Sequence, residues 1–120
     1  MSVDGVNGRL FEVTDDLSDS LFSVNTIAGL PVLEVFADNT VKMGAFNQGD
    51  LVVTGSNVGI GTESPTAKLH VSGTVQFDDI LSVTPQDPLP SGVPTGSFAV
   101  SSSAPPKPYF YDGTNWNALY

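Results

Sequence analysis

The fold is decided by one glycine-rich stretch, Gly55-Ser56-Asn57-Val58-Gly59-Ile60-Gly61-Thr62-Glu63-Ser64-Pro65-Thr66-Ala67-Lys68-Leu69-His70-Val71. Its glycines allow backbone conformations that are closed to other residues, and its proline fixes φ and prevents a helix. Residues 68–71 then alternate between polar and apolar, as a half-buried strand does. The stretch therefore predicts a tight corner that leads into a strand. Its paired glycines favour a close approach to another stretch of backbone.

The composition of the chain predicts an all-β protein. It has 12 Gly and 9 Pro in 120 residues, and only 14% of its residues are charged. Gly and Pro are typical of turns, and so small a charged fraction cannot cover the outer sides of several soluble helices. A chain of this length makes one ordinary domain at most.

Short β-forming runs recur through the first fifty residues. Phe11, Phe22 and Leu33 lie in three such runs, at intervals of eleven positions. Turn-forming residues separate the runs. This spacing predicts a meander, a sandwich or a solenoid-like fibre made of short antiparallel strands and hairpins. The predicted regions are a β-repeat region (1–54), a glycine-rich corner and strand region (55–83), a Pro/Gly linker or arm (84–95) and an aromatic β-hairpin (96–120).

One segment of the repeat region permits a different local structure. Leu17 and Leu21 are four positions apart, and Asp15 or Asp16 is suited to cap a helix. At most two helical turns fit there, which is too short for a helix to be stable alone. We expect a turn or a brief 3₁₀ segment.

A lone copy of these strands has too little apolar surface to enclose a core. Each run is only four or five residues long, and an isolated pair of such strands is marginal in water. Neighbouring copies of the chain supply the missing cover in an intertwined homotrimer, which is the assembly we expect. Its predicted oligomer interface comprises Phe11, Phe22, Phe36, Phe46 and Ile60.

The C-terminal region begins with a proline-rich segment. Residues 84–94 have a proline every few positions, which disrupts strand pairing and favours an extended chain. Two interpretations remain open for this segment, an arm that lies along a neighbouring subunit and a simple tether.

An aromatic hairpin is predicted after the proline-rich segment. Asp112-Gly113 lies between aromatic runs and predicts a two-residue type I′ turn, whose central residues both need positive φ. The aromatic residues of this hairpin would form its plug, with about half turned inward, or else a platform on which a sugar stacks. We name Tyr109, Tyr111 and Trp116 as a candidate partner-contact surface.

Catalytic and ligand-binding patterns are missing from the sequence. His70 is the only histidine, so a Ser-His-Asp triad would have to use it with Ser64 or Ser72, and its place in an alternating strand favours a structural role. No Cys is present, and the glycines of the corner lack the Lys and Ser/Thr of a phosphate-binding loop. We expect no enzyme activity, no catalytic residue, no cofactor and no metal site.

The charge of the chain excludes two classes of partner. Its formal net charge is −9, which repels nucleic-acid phosphates and anionic lipid alike. No apolar run approaches the length of about 20 residues that a membrane-spanning helix needs. We therefore expect neither nucleic acid nor membrane among the partners.

Residues 55–71 closely resemble a segment of tail fibres and other virion proteins of tailed bacteriophages. Residues 109–116, Tyr-Phe-Tyr-Asp-Gly-Thr-Asn-Trp, resemble a motif near the ends of fibre modules. The resemblance implies a parallel trimer and a place in the virion after assembly in the host cytoplasm. The self-cleaving chaperone domain that commonly follows the first segment is absent from these 120 residues, which favours a small stand-alone component.

Two virion roles follow from the resemblance. A capsid decoration (cement) protein would contact the major capsid protein or other virion proteins and stabilise the head. A short tail fibre or spike would instead place the aromatic hairpin at an exposed tip, where it meets a host surface glycan. We favour the cement role, because the chain is short and has no separate receptor domain.

Overall fold

The structure is a computed structural model that describes residues 1–15 and 20–120. The turn or 3₁₀ segment expected around Asp15 to Leu21 falls mainly on residues 16–19 and lies outside the described residues. The described chain consists of strands and turns, which confirms the all-β class. It divides into two compact units, Met1–Gln76 and Phe77–Tyr120.

The first unit is one eight-stranded sheet whose strands are neighbours in chain order. The strands are β1 (Ser2–Gly5), β2 (Gly8–Val13), β3 (Ser20–Asn25), β4 (Pro31–Phe36), β5 (Val41–Met43), β6 (Leu51–Thr54), β7 (Asn57–Ile60) and β8 (Leu69–Val71). Each pair is antiparallel except β7 with β8, which is parallel. The short antiparallel strands and hairpins predicted from the sequence are therefore confirmed.

The predicted regional boundary after residue 54 falls inside this sheet. Thr54 and Asn57 are opposed, and Gly55 and Ser56 between them have φ values of 56° and 73°. Two central residues with positive φ are the hallmark of the type I′ turn, whose twist matches that of the flanking strands. The glycine-rich segment thus begins with a hairpin that joins β6 to β7, and the repeat region and the corner form one unit.

The predicted corner follows β7. A parallel neighbour requires a crossover, and residues 61–68 provide it between β7 and β8. Gly61 has a φ of 77°, and a Cβ atom there would lie 2.8 Å from the carbonyl oxygen of Ser72. A Cβ atom on Gly59 would overlap the carbonyl oxygen of Thr62. The expected close approach of glycine to a second backbone segment is confirmed at both positions.

Three polar contacts hold the corner. The side-chain amide of Asn57 donates to the carbonyl of Pro65 at 3.3 Å, and the Lys68 ammonium donates to the carbonyl of Ser56 at 3.1 Å. The backbone N–H of Thr66 donates to His70 Nδ1 at 3.2 Å. These contacts tie the crossover to the strands on either side of it.

The second unit is a three-stranded antiparallel sheet. Its strands are β9 (Phe98–Val100), β10 (Pro108–Tyr111) and β11 (Trp116–Ala118), with β10 in the centre. The proline-rich segment belongs to this unit. Gln86 donates its N–H to the carbonyl of Val100 at 2.8 Å and accepts the N–H of Ser102 at 3.0 Å, so it lies beside β9.

The prediction of a type I′ turn at Asp112-Gly113 is wrong. Tyr111 is opposed to Trp116, so the loop has four residues, and only Gly113 among them has positive φ. The Asp112 carboxylate explains the difference, because its Oδ1 accepts the backbone N–H groups of Asn115 at 2.7 Å and Thr114 at 2.8 Å. An Asp side chain that bonds the following backbone stabilises a longer turn of this kind.

We predict that Gly61→Ala destabilises the first unit more than Gly29→Ala does. The two glycines have nearly equal φ values, 77° and 79°, but only Gly61 faces another backbone atom, since nothing lies within 4 Å of a Cβ on Gly29. Left-handed backbone costs either alanine about 1–2 kcal/mol, and the contact with Ser72 adds roughly 1–3 kcal/mol.

Urea unfolding followed by circular dichroism, at one protein concentration, measures this difference. Trp116, the only tryptophan, reports the second unit by fluorescence and serves as an internal control. Equal losses for the two variants would contradict the steric role of the corner.

We predict that Asp112→Asn destabilises the second unit at pH 7. The backbone N–H of Asn115, then that of Thr114, then the Asn117 side chain lower the pKa of Asp112 below its usual value. A lowered folded-state pKa gives stability that is complete above the unfolded pKa of about 3.9 and is lost as the pH falls through the folded value. Urea unfolding monitored by Trp116 fluorescence from pH 7 to pH 2 measures how the stability of the second unit depends on pH.

The control for this prediction is Asp87→Asn, which removes the same charge from the same unit. The Asp112 variant should lose part of the acid sensitivity of the wild-type second unit. Identical pH profiles for Asp112→Asn and the wild type would disprove the prediction.

Candidate functional site

One face of the eight-stranded sheet is apolar from β2 to β8. Each of these strands contributes two apolar residues, which oppose their neighbours in two rows. The first row is Phe11, Val24, Leu33, Met43, Leu51, Ile60 and Val71, and the second is Val13, Phe22, Val35, Val41, Val53, Val58 and Leu69. The two residues from one strand are two positions apart, so both rows lie on the same side of the sheet. We call these fourteen residues the apolar face.

The opposite side of the sheet carries polar side chains together with Leu10, Val32, Phe36 and Val52. The residues between the two apolar rows oppose one another as Glu12, Ser23, Glu34, Lys42, Val52, Gly59 and His70. The corner lies on this side, because Glu63 forms an ion pair with Lys42 at 3.1 Å and Thr66 contacts His70. We call this side the polar face.

The apolar face is uncovered, whereas the polar face holds the small core. Val52, on the polar face, is only 1% exposed and is the one apolar side chain of the described first unit that is fully buried. None of the fourteen residues of the apolar face is buried; nine are half-buried and five are exposed. Leu69 is the most open of them, at 61%. The apolar face is therefore the part of the first unit best suited to bind another apolar surface.

Side chains on the apolar face pack along the sheet where they are large. The Phe11 and Phe22 rings lie 5.1 Å apart at 81°, an edge-to-face arrangement. They occupy diagonal positions on adjacent strands, where aromatic residues reach each other. Such a pair contributes about 0.5–1.5 kcal/mol beyond its buried area.

The five predicted interface residues divide between the two sides of the sheet. Phe11, Phe22 and Ile60 belong to the apolar face. Phe36 instead lies by Lys42, whose Nζ is 5.5 Å from its ring centroid, on the polar face. Phe46 is in the loop between β5 and β6, where it lines a shallow cavity with Lys42 and with Leu33, Met43 and Leu51 of the apolar face. The structure brings three of the five together; their place in an oligomer interface stays a prediction.

The sequence prediction selected four phenylalanines and Ile60, and therefore left out most of the apolar face. The signal that finds the rest is strand alternation applied to every strand together. Leu33, Val35, Val41 and Met43, for example, all occupy alternate positions of predicted strands. Aligning those strands in chain order would place them on one side.

The second unit separates its aromatic residues by the same alternation. Tyr109, Tyr111 and Trp116 lie on one side, where the Trp116 indole donates to the carbonyl of Pro90 at 2.9 Å. The Tyr111 and Trp116 rings are 5.3 Å apart. All three are half-buried, so more than the expected half of the hairpin aromatics turn inward. Through Trp116, this side of the sheet contacts the proline-rich segment.

The exposed aromatic surface of the second unit has different members. Phe110 opposes Phe98 on the other side of the sheet. Their exposed fractions are 41% and 50%. Sequence reasoning did not select Phe98, although its place in the alternating run at 97–100 supplied the signal.

His70 makes a structural contact. It is half-buried, and its Nδ1 accepts the backbone N–H of Thr66 in the corner at 3.2 Å. Within residues 1–15 and 20–120, no three His, Cys, Asp or Glu side chains come together as metal ligands. In the same part of the chain, no helix is long and apolar enough to span a membrane.

Comparisons of the chain with protein-family models, with curated proteins and with solved structures find no match.

Proposed function

We propose that this chain is a non-enzymatic structural protein of a bacteriophage virion, which assembles as a homotrimer through its apolar face. Its role is that of a capsid decoration protein, which binds the major capsid protein or another virion protein and stabilises the head. The observation that carries the proposal is the apolar face, an unbroken apolar surface that the described chain leaves uncovered.

The size of the apolar face supports a protein partner. Seven strands at a spacing of about 4.8 Å make it about 29 Å wide. The largest contiguous apolar patch on a soluble protein is often functional, and each Å² of it left in water forgoes roughly 25 cal/mol. Burial of this face therefore gives assembly a substantial driving force.

The distribution of charge supports other copies of the chain as that partner. Each copy has a formal net charge of −9, and like charges on two approaching copies repel. The apolar face contains no charged residue, so copies meet there without placing carboxylates opposite one another. Identical subunits also commonly form closed symmetric assemblies through one shared patch. The number three comes from the resemblance of residues 55–71 to trimeric fibre modules.

A short trimeric tail fibre or spike is the second candidate. The observation that favours it is the exposed Phe98 and Phe110 pair on the second unit. Flat aromatic surfaces can stack against the apolar face of a sugar ring, as a host-attachment protein requires. Counting the copies of this chain per particle by quantitative mass spectrometry separates the two roles. Hundreds of copies favour decoration, and a handful favours a fibre.

We predict that Val53→Asp dissociates the trimer. The substitution places a carboxylate in the middle of the apolar face, where burial between copies would strip it of water. Sedimentation velocity should show the monomer at concentrations where the wild type is trimeric. Ala67→Asp, in the exposed corner, adds the same charge and should leave the trimer intact.

Circular dichroism of the Val53 variant separates lost assembly from lost folding. If Val53→Asp fails to fold, Val53→Thr keeps the shape of the side chain and should weaken the trimer by roughly tenfold. A wild-type chain that stays monomeric at all concentrations would refute the proposed function.

We predict that the association constant of the trimer is larger at high salt concentration than at low salt concentration. Assembly brings together copies that each have a net charge of −9, and salt screens their repulsion over about 10 Å at 0.1 M. Sedimentation equilibrium from low to high NaCl concentration measures the association constant. Dissociation by salt would indicate instead that ion pairs hold the copies together.

A further inference from the structure

A second uncovered apolar element follows the last strand of the first sheet. Residues 74–81, which we call the apolar arm, lie outside the strands where the first unit ends and the second begins, and they contain Val75, Phe77, Ile80 and Leu81. Their exposed fractions are 51%, 58%, 85% and 59%. Four large apolar side chains within seven positions are thus open to water.

The apolar arm leaves the sheet beside the most open part of the apolar face. Four of the five exposed residues of that face belong to strands β5 to β8, and β8, at the edge of the sheet, leads directly into the arm. These four residues are Met43, Val53, Ile60 and Leu69.

We propose that the apolar arm of one copy packs on the β5–β8 end of the apolar face of a neighbouring copy. This inference rests on the proposed self-assembly and names one contact between the copies. The chemistry of the two surfaces matches, because both are apolar and both remain open in the isolated chain. Asp78 and Asp79, at a bend between Phe77 and Ile80, divide the arm into two apolar pairs.

The length of the arm suits an exchange between copies. Ile80 is nine positions after Val71, and a fully extended chain advances about 3.3 Å per residue. Ile80 can therefore lie at most roughly 30 Å from the edge strand. That distance is similar to the width of the apolar face, so the arm can cross from one sheet to the next.

The area of the apolar face also calls for an additional contact. Its footprint, about 29 Å by about 10 Å, is roughly 300 Å². A stable protein interface buries about 800 Å² on each partner. Phe77 alone adds about 150 Å² or more if it becomes buried, and the three aliphatic residues of the arm add further area. Arm exchange brings the contact between copies closer to the usual size.

Engineered disulfides test the exchange, because the wild-type chain has no cysteine. Ile80→Cys is combined in separate proteins with Met43→Cys, Val53→Cys or Leu69→Cys. A disulfide forms only when the two Cα atoms come within about 7 Å. We expect at least one pair to give covalent oligomers on non-reducing gels, in severalfold higher yield than the single variants.

The control pairs Ile80→Cys with Glu34→Cys on the polar face, which should not crosslink above the single variants. A disulfide within one chain, or no excess of crosslinking over this control while the protein remains trimeric, would overturn arm exchange and leave the proposed function standing. A wild-type chain that is monomeric would overturn both.

A second measurement needs no crosslink. Ile80→Asp should raise the dissociation constant of the assembly by about tenfold or more. Val6→Asp makes a comparable change at a side chain that is fully exposed in the turn between β1 and β2, and it should have no such effect. Equal effects of the two variants on the association constant would count against the arm.

Discussion

Strands that follow one another in the chain pair with one another. This pairing places the fourteen residues of the apolar face, two from each of strands β2 to β8, on one side of a single sheet. The strands are short, and none of the fourteen residues of the apolar face is buried. The fold therefore satisfies its backbone hydrogen bonds within the chain but leaves much of its hydrophobic surface in water. Stability and function are linked by this division, because whatever covers the apolar face also supplies the missing core.

The glycine-rich corner decides which side is left open. Gly59 and Gly61 let the crossover pass close to neighbouring backbone, and Glu63 and Thr66 then contact the polar face. Val52 is buried on that side, and the corner adds β8 to the edge of the sheet. A bulkier residue at Gly59 or Gly61 would displace the crossover. The same few residues thus complete the small internal core and leave the apolar face free for assembly.

Sequence reasoning predicted the β class and the corner because both depend on local chemistry. Turn residues at regular spacing mark short strands, and paired glycines mark a close backbone approach. It failed at Asp112-Gly113, where the Asp side chain bonds the backbone and makes a longer loop. Residue type alone does not tell which side of a sheet a side chain occupies, so Phe36 of the polar face was named together with Phe11 and Phe22 of the apolar face, and their place in an oligomer interface stays a prediction. The side that a residue occupies comes from register, which only the paired strands provide.

The chain-order arrangement of the first sheet has a consequence for how the protein reaches its native state. Each strand from β2 to β7 bonds only to the strands just before and just after it in the chain. Hairpins can therefore form one after another with short loop closures, which keeps the entropic cost of each step low. A sheet of this kind can form strand by strand during synthesis. Its two edge strands are where the pairing is lost first.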